Sequence, residues 1–118
     1  NGALKSLEGL RGVSGRLQGS LTIHGNANLL TLDGLRGVSS VGMDKLRRSI
    51  VIEANDALNS LGGLGSISGS LPGSLVINSN ANLSTLEGLR GVTLVTARGK
   101  DDVGRSIVIS ANSALKSL

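Results

Sequence analysis

The sequence contains no cysteine, phenylalanine, tryptophan or tyrosine, and only one proline. Without cysteine there is neither a disulfide framework nor a thiolate metal site, but cysteine-free proteins occur inside and outside cells, so the compartment is not fixed by this. Globular cores usually draw on aromatic area. A stack of thin layers filled by Leu, Ile and Val does not need it. The same absence argues against nucleic acid as a partner, since no side chain can stack on a base. No apolar run approaches the ~18 residues that span a bilayer, so no membrane span is expected in this segment. No signal-peptide pattern is expected within these residues. The chain starts inside a repeat, so any such signal is expected upstream. Histidine occurs once, at His24. With no second histidine and no cysteine, a metal site or a nucleophilic relay is not expected.

What is present is a repeat, the strongest architectural signal a sequence can carry. Asn26 to Val38 reads NANLLTLDGLRGV. Asn1 to Val13 reads NGALKSLEGLRGV, Asn55 to Ile67 reads NDALNSLGGLGSI, and Asn80 to Val92 reads NANLSTLEGLRGV. Asn112 to Leu118 reads NSALKSL, the beginning of a fifth. Counted from one asparagine to the next, the coils are 1–25, 26–54, 55–79 and 80–111, with a partial coil 112–118, all in one domain. Each coil ends on a constant tail: Ser20–Ile23, Ser49–Ile52, Ser74–Ile77 and Ser106–Ile109. Length varies only between Val13, Val38, Ile67 or Val92 and these tails, and that variable segment is expected to be a loop on one side. A second period lies over the first. Coils one and three are short and coils two and four are long, so the deeper unit is two coils.

The tails alternate apolar and outward residues and are rich in β-branched side chains, which predicts short strands. Glycine recurs too often for helix, at roughly 1 kcal/mol against alanine for each helical position. Equivalent strands in successive coils are expected to pair in parallel, ~4.8 Å apart. Leu4, Leu29, Leu58, Leu83 and Leu115 then form one interior column. Leu7, Leu32, Leu61, Leu86 and Leu118 form another, and Leu10, Leu35, Leu64 and Leu89 a third. Gly9, Gly34, Gly63 and Gly88 form a glycine column, expected at a tight corner or a left-handed backbone position. Asn1, Asn26, Asn55, Asn80 and Asn112 form an asparagine ladder, whose amides are expected to satisfy backbone groups at a bend and to pair with one another. The predicted architecture is all-β: a right-handed parallel β-helix (solenoid) of about four coils with uncapped ends.

This order of strand, two residues, Asn, then Leu-x-x-Leu-x-Gly-Leu, as in Leu21 to Leu35, resembles the receptor L domain. That family includes the ligand-binding lobes of insulin- and EGF-type receptors and relatives in fungal and microbial surface proteins. It is a leucine-rich-repeat-like right-handed β-helix, and the resemblance covers nearly the whole chain. It implies an extracellular or cell-surface protein. The cysteines and aromatics of the receptor lobes are missing, and the chain has Asn-x-x-Leu where ordinary leucine-rich repeats have Asn-x-Leu. No ligand residues carry over, because they are not part of the motif.

Little in the sequence points to catalysis. Glu8 and Asp33 stand in phase, but Gly62 interrupts their column before Glu87. Arg11, Arg36 and Arg90 follow three residues behind, broken by Gly65. A rim of exposed ion pairs is expected rather than the converging carboxylates that glycoside cleavage needs. Asp101 and Asp102 fall short of the six to eight oxygens of a calcium site. Ser6, Thr31, Ser60, Thr85 and Ser117 make one hydroxyl column without the second that an ice-binding face requires. No enzyme activity, cofactor or metal is expected. The long loops are basic, with Lys45, Arg47 and Arg48 in one and Arg98, Lys100 and Arg105 in the other. They are expected to meet an acidic polysaccharide, a glycan or a neighbouring subunit. Asn82-Leu83-Ser84 is the one N-glycosylation sequon.

Asn112–Leu118 repeats Asn1–Leu7 at every position but the second, and neither end has a polar capping repeat. The expected function is structural: a segment of an extracellular filament, surface fibre or cell-wall protein that assembles with itself by head-to-tail stacking or as part of a longer array. The alternative is a ligand-recognition module of a receptor-like ectodomain.

Overall fold

The computed structural model describes residues 1–96 and 106–116. They form a mostly β structure of parallel strands in short sheets, with no α-helix among them. The tails become the strands of one four-stranded sheet: β2 (Leu21–His24), β4 (Arg48–Glu53), β6 (Ser74–Asn78) and β8 (Ile107–Ser110), in the order β2-β4-β6-β8. Register is one-to-one from the second residue of each tail onward, whereas before it Arg48 pairs with Ser74 and Ser49 is passed over in the β4–β6 ladder. Leu21 pairs with Ile50, Ile50 with Leu75, and Leu75 with Ile107. Ile23, Ile52, Ile77 and Ile109 form the parallel column two residues on.

Alternation sends Ile50, Ile52 and Ile77 into the core, where none retains any exposure. The central strands go further, since β4 and β6 each bury four residues in succession. The centre of the sheet is therefore out of water on both faces, as in parallel sheets generally. The leucine columns close the other side of the core. Leu29, Leu32, Leu58, Leu61, Leu64 and Leu83 are wholly buried. The outermost members, Leu4, Leu7, Leu86 and Leu89, are only partly covered and pack against that core.

The segment read as loop in every coil is not simply loop. It begins with further strands: β1 (Gly15–Arg16) pairs with β3 (Val38–Ser40), and β5 (Gly69–Leu71) with β7 (Val92–Val95), giving two small parallel sheets. Each contains a register shift, beside Gly15 in one and Gly69 in the other. Gly15 (φ 79°) and Gly69 (φ 81°) are left-handed, a conformation glycine adopts without steric penalty. Pairing is Gly15 with Val38 and Gly69 with Val92, so coils one and three carry two extra residues before the strand. This slip creates a core column that was not expected, made of Leu17, Val41, Leu71 and Val95. The two-coil unit thus has a structural counterpart: each unit owns one small sheet, and both share the large one.

The glycine column has a different cause from the one expected. Gly34, Gly63 and Gly88 each lie inside a 3-10 turn and have no left-handed backbone. A Cβ on Gly34 would stand 1.7 Å from the Leu7 carbonyl oxygen, one on Gly63 would stand 1.8 Å from that of Leu32, and one on Gly88 would stand 1.8 Å from that of Leu61. These glycines let successive turns lie directly against one another.

Candidate functional site

The asparagines follow directly on the strands of the large sheet, where the chain must turn a corner. The residue before each of them is left-handed: Gly25 (φ 68°), Ala54 (φ 55°), Ser79 (φ 56°) and Ala111 (φ 52°). Non-glycine residues adopt this region at a cost of about 1 kcal/mol or more. Here the bend aims backbone N–H groups at the next level, with Gly25 donating to the Glu53 carbonyl (3.0 Å), Ala54 to Asn78 (3.1 Å) and Ser79 to Ser110 (3.1 Å).

The amides complete the corner. Asn55 Oδ1 accepts from the backbone N–H of Asn26 (3.2 Å) and from its Nδ2 (3.1 Å). Asn55 Nδ2 donates back to the carbonyls of Ile23 and Glu53, both at 3.0 Å, and forward to Asn80 Oδ1 at 3.2 Å. Asn80 repeats the pattern, reaching back to Ile52 (2.9 Å) and forward to Asn112 Oδ1 through N–H (3.0 Å) and Nδ2 (3.1 Å). Asn55 and Asn80 are wholly buried, Asn26 and Asn112 nearly so, and Asn1 is exposed. Every forward bond runs the same way, from an earlier asparagine to the Oδ1 of the next.

The basic loop between β3 and β4 has less free charge than its composition suggested. Asp44 Oδ1 accepts from the N–H groups of Leu46 and Arg48, and Arg48 Nε donates to Asp44 Oδ2, each at 2.9 Å. Arg48 is therefore a half-buried partner of Asp44 and not part of an open cationic stripe. Lys45 and Arg47 remain exposed at the tip and form no ion pair with any described residue. Arg98, Lys100 and Arg105 lie outside the described residues, as do Asp101, Asp102, Ser117 and Leu118. The base of the loop is closed by Ser49, whose hydroxyl donates to the Gly42 carbonyl (2.7 Å) and accepts from the Gly73 N–H (2.8 Å).

Burial acts to raise the pKa of Asp44, but the backbone and guanidinium hydrogen bonds of Arg48, its charge, and the Leu46 N–H outweigh it and hold the carboxyl below the usual carboxylate range. A depressed pKa stabilises the fold above the ordinary value of about 3.9, and that contribution disappears as pH falls through the lower folded value. The urea midpoint should therefore drop on acidification below about pH 4, and Asp44→Asn should flatten that part of the profile. Asp44→Ala should cost about 1 kcal/mol at neutral pH. Superimposable pH profiles for the wild type and Asp44→Asn would remove Asp44 as the latch of this loop.

The remaining candidates are scattered. Arg11 pairs with Glu8 at 2.9 Å, Arg36 with Asp33 at 3.1 Å and Arg90 with Glu87 at 3.5 Å, all exposed at i,i+3 spacing across the 3-10 turns. Exposed pairs of this kind contribute ~0–1 kcal/mol. In the third coil Gly62 and Gly65 replace both members together, so no lone charge is left behind. Asn82 is exposed beside the buried Leu83, and Ser84 Oγ donates to the Asn59 carbonyl at 3.4 Å. His24 is exposed on β2, in register with Glu53.

The two edges of the large sheet differ from its centre. On the β2 side Leu10 and Val13 are exposed, at 41% and 38%. On the β8 side Leu94 and Ile107 are more open, at 57% and 55%. There an open cavity of about 530 Å³ is lined by Leu75, Leu86, Leu89, Val92, Ile107 and Ile109 among others. It is the interior column seen from its end. No helix among the described residues is long and apolar enough to cross a membrane. Comparison of the chain with protein-family models, with curated proteins and with solved structures finds no match.

Proposed function

We propose that this chain is a structural segment of an extracellular filament, surface fibre or cell-wall protein, folded as a right-handed parallel β-helix of about four coils and assembling by axial stacking. The observation that carries the reading is the sameness of the interface between successive repeats. β2 to β4, β4 to β6 and β6 to β8 use one register, one set of apolar columns and one asparagine bond pattern. A middle repeat therefore offers its own kind a complementary surface on both sides. In such a stack each coil needs neighbours to bury its apolar face, and an unpaired strand edge is a template for further pairing. The resemblance to receptor L domains supports an extracellular setting. The exposed Lys45 and Arg47 suit contact with an acidic polysaccharide or glycan on the flank of a rod. The function is mechanical and needs no catalytic group.

Sedimentation velocity over a wide concentration range, with electron microscopy of the concentrated samples, tests the reading. Mass should rise with concentration and rods should lengthen in one dimension. A monomer at every concentration would exclude non-covalent stacking.

A further inference from the structure

We infer that Asn82 carries an N-linked glycan, which makes the corner of the fourth coil a modification site. The inference rests on the extracellular setting proposed above and names one covalent consequence of it. Asn82-Leu83-Ser84 is the only stretch of the chain with the acceptor pattern Asn-x-Ser/Thr. A glycan is bulky and belongs on the surface. The pattern is therefore usable where the amide reaches water and has no other task.

Both conditions hold here. Asn82 is the third residue of a turn that the Leu83 N–H closes on the Asn80 carbonyl at 3.1 Å. The turn leaves Asn82 exposed and places Leu83 in the core, wholly buried. The corner is already held by Asn80, whose Nδ2 bonds to Ile52 and Asn112. Among the described residues none accepts a hydrogen bond from Asn82 Nδ2, whereas Asn28, in the same phase two coils earlier, donates its Nδ2 to the Gly2 carbonyl. Space is also provided. The residues in phase with Asn82 in the adjoining coils are Ala57 and Ala114. Nothing larger than a methyl group stands beside it in that column. With alanine between them, successive asparagines of the column are about 10 Å apart. Asn82 lies outside every strand, so a sugar there interrupts no ladder.

The donor is an oligosaccharide carried on a lipid diphosphate. Asn82 Nδ2 bonds to C1 of the first sugar, and the bond from C1 to the diphosphate oxygen breaks. The electron pair leaves with the diphosphate, and the amide gives up one proton to a base of the transferase. In the folded chain the Ser84 hydroxyl is held on the Asn59 carbonyl at 3.4 Å. A transferase that must take Asn82, Leu83 and Ser84 together cannot do so with Leu83 in the core. Transfer therefore precedes closure of this coil.

Peptide mapping tests the site, on the protein from its own source and on the full chain secreted from a eukaryotic host. Peptide N-glycosidase should remove the mass of one glycan per chain and convert Asn82 to aspartate. Asn82→Gln and Ser84→Ala should each abolish the glycan with unchanged circular dichroism. Leu30→Ser completes the same pattern at the exposed Asn28 and should add a second glycan. A bare Asn82 in both preparations overturns the site and leaves the extracellular reading standing. A bare Asn82 from the source, with a glycan from the host, overturns the inference through that reading, because the chain then never meets a transferase. A glycan that survives Asn82→Gln overturns the assignment by placing the sugar elsewhere.

Discussion

Replacing Gly63 with alanine is expected to destabilise the fold by about 3 kcal/mol or more, at the upper end of what overpacking does. The added Cβ would lie 1.8 Å from the Leu32 carbonyl oxygen and 2.2 Å from its carbon. Neither partner can easily retreat. Gly63 sits in a turn closed by the bond from the Leu64 N–H to the Leu61 carbonyl (2.9 Å). The turn beneath is held in the same way, with Leu35 donating to Leu32 at 2.9 Å. Separating the two turns would also open the contact between Leu32 and Leu61, both wholly buried. The chain supplies its own control. Gly9 occupies the same place in the first repeat, and a Cβ there meets nothing within 4 Å. Gly9→Ala should therefore be nearly neutral. Urea midpoints of the two variants decide the matter, and equal losses would show that packing between turns is not what the glycines serve.

Asn55→Leu should have an effect of similar size, about 3 kcal/mol, although the two side chains are close in volume. The leucine leaves the carbonyl of Ile23 and the N–H of Asn26 without the partner that Asn55 provides. A buried group stripped of its partner costs roughly 1–3 kcal/mol, and here more than one is affected. Aspartate should not rescue the site. Its oxygens still accept from Asn26, but they face the oxygens of Ile23 and Asn80 where Nδ2 had donated. Asn1→Leu, at an exposed rung, should cost far less. An unchanged denaturation midpoint for Asn55→Leu would mean that the ladder does not hold the corner.

The large sheet was legible because its residues repeat in place. Leu21, Ile50, Leu75 and Ile107 keep both residue type and distance to the next asparagine, so alignment by eye is alignment in space. The small sheets were not legible because that rule fails there. Val13 matches Val38 in sequence, but Gly15 is the residue that pairs with it. A left-handed glycine and a register shift absorb the two extra residues, and they recur only once in every two coils, so the single-coil alignment does not show them. The left-handed column before the asparagines was hidden for a related reason. Only Gly25 carries the residue expected there, while Ala54, Ser79 and Ala111 are held by the hydrogen bonds around them. The pairing of Arg48 was not legible because composition counts a cation wherever it stands, whereas its partner Asp44 lies four residues back across a turn. The glycine column was recognised, but its cause was not, since a close approach between two turns leaves no mark on either one alone.

The loop between Gly42 and Ser49 has a consequence for how such a chain can change by insertion. Its base is pinned on both sides, through Ser49 to Gly42 and Gly73 and through Asp44 to Arg48. Its tip, Lys45 and Leu46, touches water. Added residues at that tip leave every level of the sheet where it was, and each doubling of loop length costs only about 0.6 kcal/mol. The tip can therefore be lengthened or recoded while the register of the sheet is kept. For the same reason the tip is a place to graft a foreign peptide, which an assembled rod would display at regular intervals along its side.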